Sequence, residues 1–157
     1  MQIQINNTEL QQKLQQAAKQ LQNTQPLMAG IANVLVSESL LNFHSQGRPK
    51  WAGLSPVTIA MYAKQGRKNS SILQQSGMLR GSVQPSHTAT TATVGAGSAA
   101  SAKYAAIHQF GGMAGRGRKV KIPSRPYLPM DKLGNLQRST ELEILDEVDF
   151  FLNKKVF

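Results

Sequence analysis

Histidine is the side chain of this sequence best suited to metal binding or acid–base chemistry, and the chain has three: His44, His87 and His108. They lie far apart, and none has a further ligand at the short spacing that metal sites use. A catalytic base also needs a nucleophile or an orienting acid, and only a carboxylate from the C-terminal segment could serve His108. We therefore predict no metal site, and we expect His108 to be structural, with one ring nitrogen bonded to a backbone carbonyl.

The acidic residues are too few and too clustered to form a nuclease centre. The sequence has no Asp or Glu between Glu38 and Asp131, and most of the other acids lie in residues 141–149. Metal-dependent phosphodiester cleavage needs carboxylates that converge from several elements to hold divalent ions. We predict that the chain is not an enzyme and that it has no catalytic residues.

Two glycine-containing segments match phosphate-binding loops only in part. Residues 95–100 have the GxGxxA form of a dinucleotide loop, but no acidic residue follows about 20 positions later to hold a ribose. Residues 115–119, GRGRK, lack the spacing and the Ser or Thr of a phosphate-binding loop. We interpret the first as a mobile turn and the second as part of a flexible loop over 111–119, and we predict no cofactor.

Basic residues dominate the middle of the chain. The sequence carries 18 Lys and Arg against 8 Asp and Glu, a formal charge of +10, and the segment between Glu38 and Asp131 is purely cationic. This segregation favours a polyanion or an acidic protein surface as neighbour, and a solvated basic face is the other interpretation. A basic DNA-binding accessory protein is the main alternative function, although none of the usual DNA-binding modules is recognisable.

Length and composition predict one soluble domain over residues 1–157. A chain of this length can bury a core of its own. The absence of cysteine fits a reducing cytoplasm. No apolar run approaches the roughly 20 residues of a membrane span, and the N-terminus lacks the pattern of a signal peptide. We expect neither export nor a membrane partner.

Hydrophobic periodicity predicts helices at both ends of the chain. Residues 8–21 have a glutamine-rich helical pattern, which would form a peripheral helix within residues 1–24. Thr24 is expected to cap a core helix that runs to about His44. Asp131 is expected to cap a long final helix.

Shorter helices are predicted in the middle of the chain. Ser55-Pro56 has the form of a helix N-cap and first position, and Trp51 is expected to fold back onto that helix. Residues 72–79 favour a second short helix, and residues 102–110 a third, which Gly111 ends in a left-handed conformation.

Alternating residues predict a small antiparallel sheet. Residues 81–84 and 88–95 form a hairpin around a turn at 85–87, and residues 118–123 supply a third strand. The predicted fold class is therefore α+β, a mostly helical single domain whose small sheet is packed by N- and C-terminal helices.

Arg125 stands in an extended segment whose prolines restrict the backbone. Pro123 and Pro126 flank it closely, so its guanidinium is aimed in one direction. A rigid fork of donors suits several fixed acceptors. We expect carbonyls at helix ends or an acid of the final helix to accept from it.

An ordered set of residues through the middle of the chain resembles the phage virion morphogenesis proteins, the Mu-like group related to the tail completion proteins of contractile-tailed phages. These residues are Trp51, Leu54, Ser55, Thr58, Ile72, Leu73, Ser76, Gly77, Leu79, Val94, Gly95, Tyr104, Ala105, Ile107, His108, Gln109, Phe110, Gly111, Ile122, Pro123, Arg125, Pro126, Tyr127 and Leu128. The resemblance implies a structural virion protein that acts in tail completion or head–tail joining. It also implies a homo-oligomer, with a hexameric ring as the natural expectation, and other tail or connector proteins as partners.

Two groups of residues follow as candidates. Contacts in assembly are expected from Arg116, Arg118, Lys119, Arg125 and Tyr127. A structural role is expected for Trp51, Tyr104, His108, Phe110, Gly111 and Pro126. The expected location is the virion, assembled in the cytoplasm of the bacterial host, and any DNA contact would be non-specific.

Overall fold

The computed structural model describes residues 19, 22–67, 71–98 and 101–153, without the side chains of Lys103 and Arg118. The predicted peripheral helix lies almost entirely outside these residues. In this part of the chain the helices are α1 (Gln25–His44), α2 (Pro56–Lys64), α3 (Met78–Gly81), α4 (Ala102–Phe110) and α5 (Arg138–Asn153). The strands are β1 (Gln84–His87), β2 (Ala92–Gly95), β3 (Gly112–Ala114) and β4 (Val120–Ile122), with a 3₁₀ turn at Arg116–Arg118. The predicted α+β fold class is confirmed.

The domain is built around α1, whose buried face includes Leu35 and Phe43. Pro26 lies in its first turn, where the missing N–H costs no hydrogen bond. Thr24 precedes the helix as predicted, but its hydroxyl donates to the carbonyl of Ala89 and makes no cap. The predicted cap is wrong because Thr24 has helical backbone angles, φ −88° and ψ −2°, where a capping residue is extended.

By length and composition α1 could cross a membrane, since it has 20 residues and a mean hydropathy of 1.2. This corrects the expectation that no apolar run approaches that length. The helix nevertheless buries the polar side chains of Glu38, Ser39 and Asn42, and each is hydrogen bonded within the domain. Satisfied polar groups of this kind are typical of a helix packed against protein, so we interpret α1 as a core helix.

Aromatic rings close the core at the C-terminal end of α1. Phe43 meets the Trp51 ring edge-on at a centroid distance of 5.9 Å and the Tyr127 ring at 5.3 Å. The indole N–H of Trp51 donates to the carbonyl of Pro126 over 3.0 Å. The predicted packing of Trp51 onto α2 is therefore wrong, because this bond and the Phe43 contact hold the ring in the main core. The same cluster contains Leu79, Val83 and Ala105.

Glu38 ties α5 to the middle of α1. The residue is only 4% exposed. Its Oε2 accepts from Arg48 Nη2 at 3.0 Å, Ser139 Oγ at 2.9 Å and Thr140 Oγ1 at 3.0 Å. Because Ser139 and Thr140 lie in the first turn of α5, one buried carboxylate fixes the start of that helix.

Asp131 closes a turn before the final helix and does not cap it. Its Oδ1 accepts from the N–H groups of Leu133 at 2.7 Å and Asn135 at 2.9 Å. Gly134 continues the turn with φ +87°. The predicted cap is wrong because an aspartate bonded to its own following backbone favours a turn, and α5 starts only at Arg138.

The strands form two separate antiparallel pairs, β1 with β2 and β3 with β4, where a single three-stranded sheet was predicted. Residues 85–87, predicted as the turn, belong to β1, and the chain reverses at 88–91. There the Thr88 hydroxyl accepts from the N–H groups of Thr90 and Thr91, so the turn needs neither Gly nor Pro. The predicted third strand, β4, pairs with β3, which lies inside the segment predicted as a loop.

Candidate functional site

A groove of about 690 Å³ opens between α2, the segment before α3, α4 and β4. Ser55, Thr58 and Tyr62, at i, i+3 and i+7, line it from one face of α2. Tyr104 and His108, at i and i+4, line it from α4. Apolar and basic side chains share the lining, and no carboxylate is found among the described residues that form it.

Most residues of the groove are residues that carry the family resemblance. They are Leu54, Ser55, Thr58, Ile72, Leu73, Ser76, Leu79, Tyr104, His108, Ile122, Pro123 and Arg125. The fold brings these scattered positions to one surface, and buries Gln109 and Tyr127 behind it. We therefore take the groove as the candidate functional site.

Ser55 positions the α2 wall of the groove. Its Oγ accepts from the backbone N–H of Thr58 over 3.2 Å, so the predicted N-cap is confirmed. The helix has no buried residue. The helix also exposes Val57, Ile59 and Met61, which do not line the groove. An apolar helix left this open is typical of a surface that another molecule covers.

Arg125 joins two walls of the groove from inside. The residue is 7% exposed, and its guanidinium donates through Nε to the carbonyl of Ala52 at 3.0 Å and through Nη2 to that of Gly53 at 2.8 Å. Its backbone N–H donates to the carbonyl of His108 at 2.7 Å, at the end of α4. Burial lowers the pKa of Arg125. The expected anchoring to carbonyls is present, although the acceptors lie in the loop before α2 and not at helix ends.

Gln109 holds the proline-rich segment against α4. Its Oε1 accepts from the N–H groups of Tyr127 at 3.0 Å and Leu128 at 2.9 Å, and its Nε2 donates to the carbonyl of Met130 at 2.9 Å. Gln109 was not among the predicted candidates, because a lone glutamine beside aromatic residues gives no distinctive pattern. The one available signal was its place in the resembling AIHQFG stretch.

Tyr127 is a core residue and not an exposed contact. It is 2% exposed, and its hydroxyl donates to the carbonyl of Ala105 over 3.1 Å. Burial raises the pKa of Tyr127 to about 12, so the hydroxyl keeps its proton. Both of these candidates are therefore buried, Arg125 in the lining of the groove and Tyr127 in the core.

His108 lies half-buried in the groove wall. Its Nδ1 is buried and has no hydrogen-bond partner among the described residues, so the predicted bond to a backbone carbonyl is wrong for this nitrogen. The ring instead packs edge-on against Tyr104, with centroids 5.9 Å apart. Burial, and next the positive charge of Arg125, lower the pKa of His108 and favour the neutral imidazole.

The other predicted site residues lie around the β3–β4 hairpin. Arg116 and Lys119 are exposed on the turn between the strands, and the side chain of Arg118 is not described. Phe110 is exposed at the end of α4. Gly111 has φ +76°, and a Cβ there would lie 2.9 Å from the backbone nitrogen of Ser124, so only glycine fits this reversal.

Comparisons with known proteins support the family resemblance over nearly the whole chain. Residues 5–152 match the model of the phage virion morphogenesis family. The chain is also 36% identical over 153 residues to the Mu-like prophage FluMu G protein 2 of Haemophilus influenzae, covering 96% of each chain. No solved structure matches. With both findings spanning the helices, the hairpins and the groove, the chain belongs to the phage virion morphogenesis family.

Proposed function

We propose that the protein is a structural subunit of a phage or prophage virion that acts in tail completion or head–tail joining, without catalysis. It works by binding copies of itself and other virion proteins of the tail or the connector. Assembly takes place in the bacterial cytoplasm, and the expected form is a closed ring, with a hexamer suggested by the family resemblance. The coarser part, a role in phage morphogenesis, comes with membership of the family.

The observation that carries this proposal is α2. The helix contributes no buried residue to its own subunit, and Val57 is 79% exposed, Ile59 51% and Met61 47%. Exposing apolar surface of this kind to water costs free energy, and that free energy is regained when a partner covers the surface. The neighbouring groove offers a fixed shape beside the helix, which favours a protein partner.

The direct test is electron microscopy of particles made without this protein. We expect heads and tails that fail to join, or tails with unfinished ends, and we expect a plasmid copy of the wild-type chain to restore normal particles. Normal, infectious particles in its absence would contradict a role in completion or joining.

DNA binding is the second candidate, and it rests on unpaired cations. Among the described residues, Lys121, Arg67 and Arg80 have no carboxylate partner. A DNA-binding protein releases counterions, so its affinity falls steeply with salt. A mobility-shift titration at two salt concentrations tests this: tight binding with a steep salt dependence would support the DNA-binding function, and absence of binding at low salt would remove it.

A further inference from the structure

The outer face of α5 is a second surface with no cover in the described part of the chain. Leu142, Leu145 and Leu152, at i, i+3 and i+10, are 46%, 55% and 40% exposed. Asp146 and Asp149 lie on the same exposed side. The opposite side packs on α1 and contains the buried Thr140 and Phe151. The helix therefore presents an acidic and apolar stripe to its surroundings.

The groove is the complement of this stripe. Met78 and Val120, two of its apolar lining residues, are 47% and 55% exposed. Lys121 lines it and is exposed. Arg67 stacks over the ring of Tyr62, which also lines the groove, at 5.9 Å. A helix with leucines at helical spacing between acids is the kind of segment that such a groove accepts.

The two surfaces cannot meet within one subunit. No residue of α5 lines the groove, and the start of α5 is held on α1 by the bonds of Ser139 and Thr140 to Glu38. As far as the described residues go, each copy therefore carries one uncovered groove and one uncovered helix face. A contact between the two surfaces of different copies covers both and brings unlike charges together.

We propose that the groove of one subunit binds the outer face of α5 of a second copy. This contact joins different surfaces, so it is head-to-tail, and repetition by rotation closes a ring. A two-fold contact through either surface would place like charges opposite each other. The inference deepens the proposed function, on which it rests for the assembly itself.

Two double variants separate the two sides of this contact. Met78→Glu with Lys121→Glu makes the groove acidic and leaves α5 intact. Leu142→Asp with Leu145→Asp makes the stripe more acidic and leaves the groove intact. All four positions are exposed, so both variants should keep the wild-type fold by circular dichroism and thermal unfolding.

Lys132→Glu with Leu133→Asp is the matched control. It repeats the same chemical changes in the exposed turn at 131–135, which does not line the groove and precedes α5, and where Leu133 is 78% exposed. We expect the control to self-associate like wild type, and each of the other variants to do so at least about 100-fold more weakly.

The decisive experiment mixes the two interface variants and measures the size of the species formed by native mass spectrometry or sedimentation. Because one intact groove and one intact helix face remain, the mixture should form a 1:1 heterodimer and nothing larger. A mixture that stays monomeric, a variant that still assembles alone, or a wild type that is monomeric at the highest concentration would overturn the proposal. If the groove variant still assembles like wild type but no longer binds DNA, the proposal is also overturned. The groove would then be identified as a nucleic-acid site.

This outcome and that of the particle experiment are independent. Failure of the heterodimer with a clear joining defect would remove only the groove-to-helix contact. Normal particles without the protein would remove the proposed function, whatever the variants do.

Discussion

At Arg125 one side chain fixes the shape of the groove. The Arg125 guanidinium donates to the carbonyls of Ala52 and Gly53. Its backbone N–H donates to the carbonyl of His108 in α4, so the residue links the loop before α2 to α4. Lysine would keep the charge but could not reach both acceptors with the same fixed geometry. We therefore expect the residue to act on assembly by holding the groove, without direct contact to a partner.

We expect Arg125→Lys to lower the free energy of unfolding by about 1–3 kcal/mol, the usual effect of losing charge-assisted hydrogen bonds in a buried place. Thermal unfolding measures this, with Arg116→Lys, an exposed arginine, as the control. A variant with the stability and assembly of the parent would contradict the anchoring role of Arg125.

His108 should make stability depend on pH. Its pKa is lowered in the folded protein, by burial first and by Arg125 second. The unfolded chain therefore takes up a proton at a higher pH than the folded one, and stability is lost as pH falls below about 6.5. We expect denaturant unfolding between pH 7 and pH 5 to show a smaller loss in His108→Gln than in wild type. Equal losses in the two proteins would show that His108 is not responsible.

The sequence predicted the roles of Arg125 and His108 only in part. Arg125 was predictable as an anchor because nearby prolines limit the path of the backbone. The carbonyls that it binds were not, since they belong to a loop 72 and 73 residues away in sequence. His108 was recognised as structural, but whether its ring nitrogens find partners depends on neighbours that only the packed fold supplies.

At the scale of elements, the Glu38 carboxylate is what holds α5 on α1. We expect Glu38→Gln to lower the melting temperature by roughly 3–10 °C, because it weakens hydrogen bonds made by a buried charge. Glu143→Gln, at an exposed acid of α5, is the matched control and should unfold like wild type. The same loss in both variants would mean that net charge, and not the buried site, sets the effect.

The β3–β4 hairpin is the element whose order should respond to assembly. It pairs only three residues from each strand, and Arg116 and Lys119 are exposed at its turn. Short isolated hairpins are marginal in water. We expect fast hydrogen exchange over 111–119 in the free subunit and slower exchange in the assembled one. Strong protection already present in the free subunit would contradict this.

Helix positions could be predicted from the sequence better than strand partners, although the helix predicted over 72–79 was wrong in extent, since the chain is helical there only from Met78 to Gly81. The Ser55 cap and the end of α4 at Gly111 follow local rules, because caps and left-handed glycines act within one turn. Strand pairing is non-local, and β4 was assigned to the wrong partner because β3 lies in a glycine-rich segment with no alternating pattern. The helix cap predicted at Asp131 was wrong for a related reason, since aspartate is typical both of helix starts and of turns.

At the scale of the whole molecule, the groove and the outer face of α5 carry charges of opposite sign, Lys121 in the groove and Asp146 and Asp149 on the helix. Pairing of the cationic middle with the acidic C-terminal segment inside one subunit is the competing explanation for this separation. In the described residues α5 packs on α1, and the ion pair made by an acid of α5 is the local one between Glu141 and Arg138. The acidic outer face and the cationic groove therefore remain free to meet between copies.

Native mass spectrometry of the full-length protein at low and moderate salt tests self-assembly most directly. We expect one closed species with a single subunit number, and we expect Asp146→Lys and Asp149→Lys together to abolish it, since these acids lie exposed on the outer face of α5. A strict monomer or a two-fold dimer at high protein concentration would contradict the ring. Rings that survive this charge reversal would contradict its electrostatic basis.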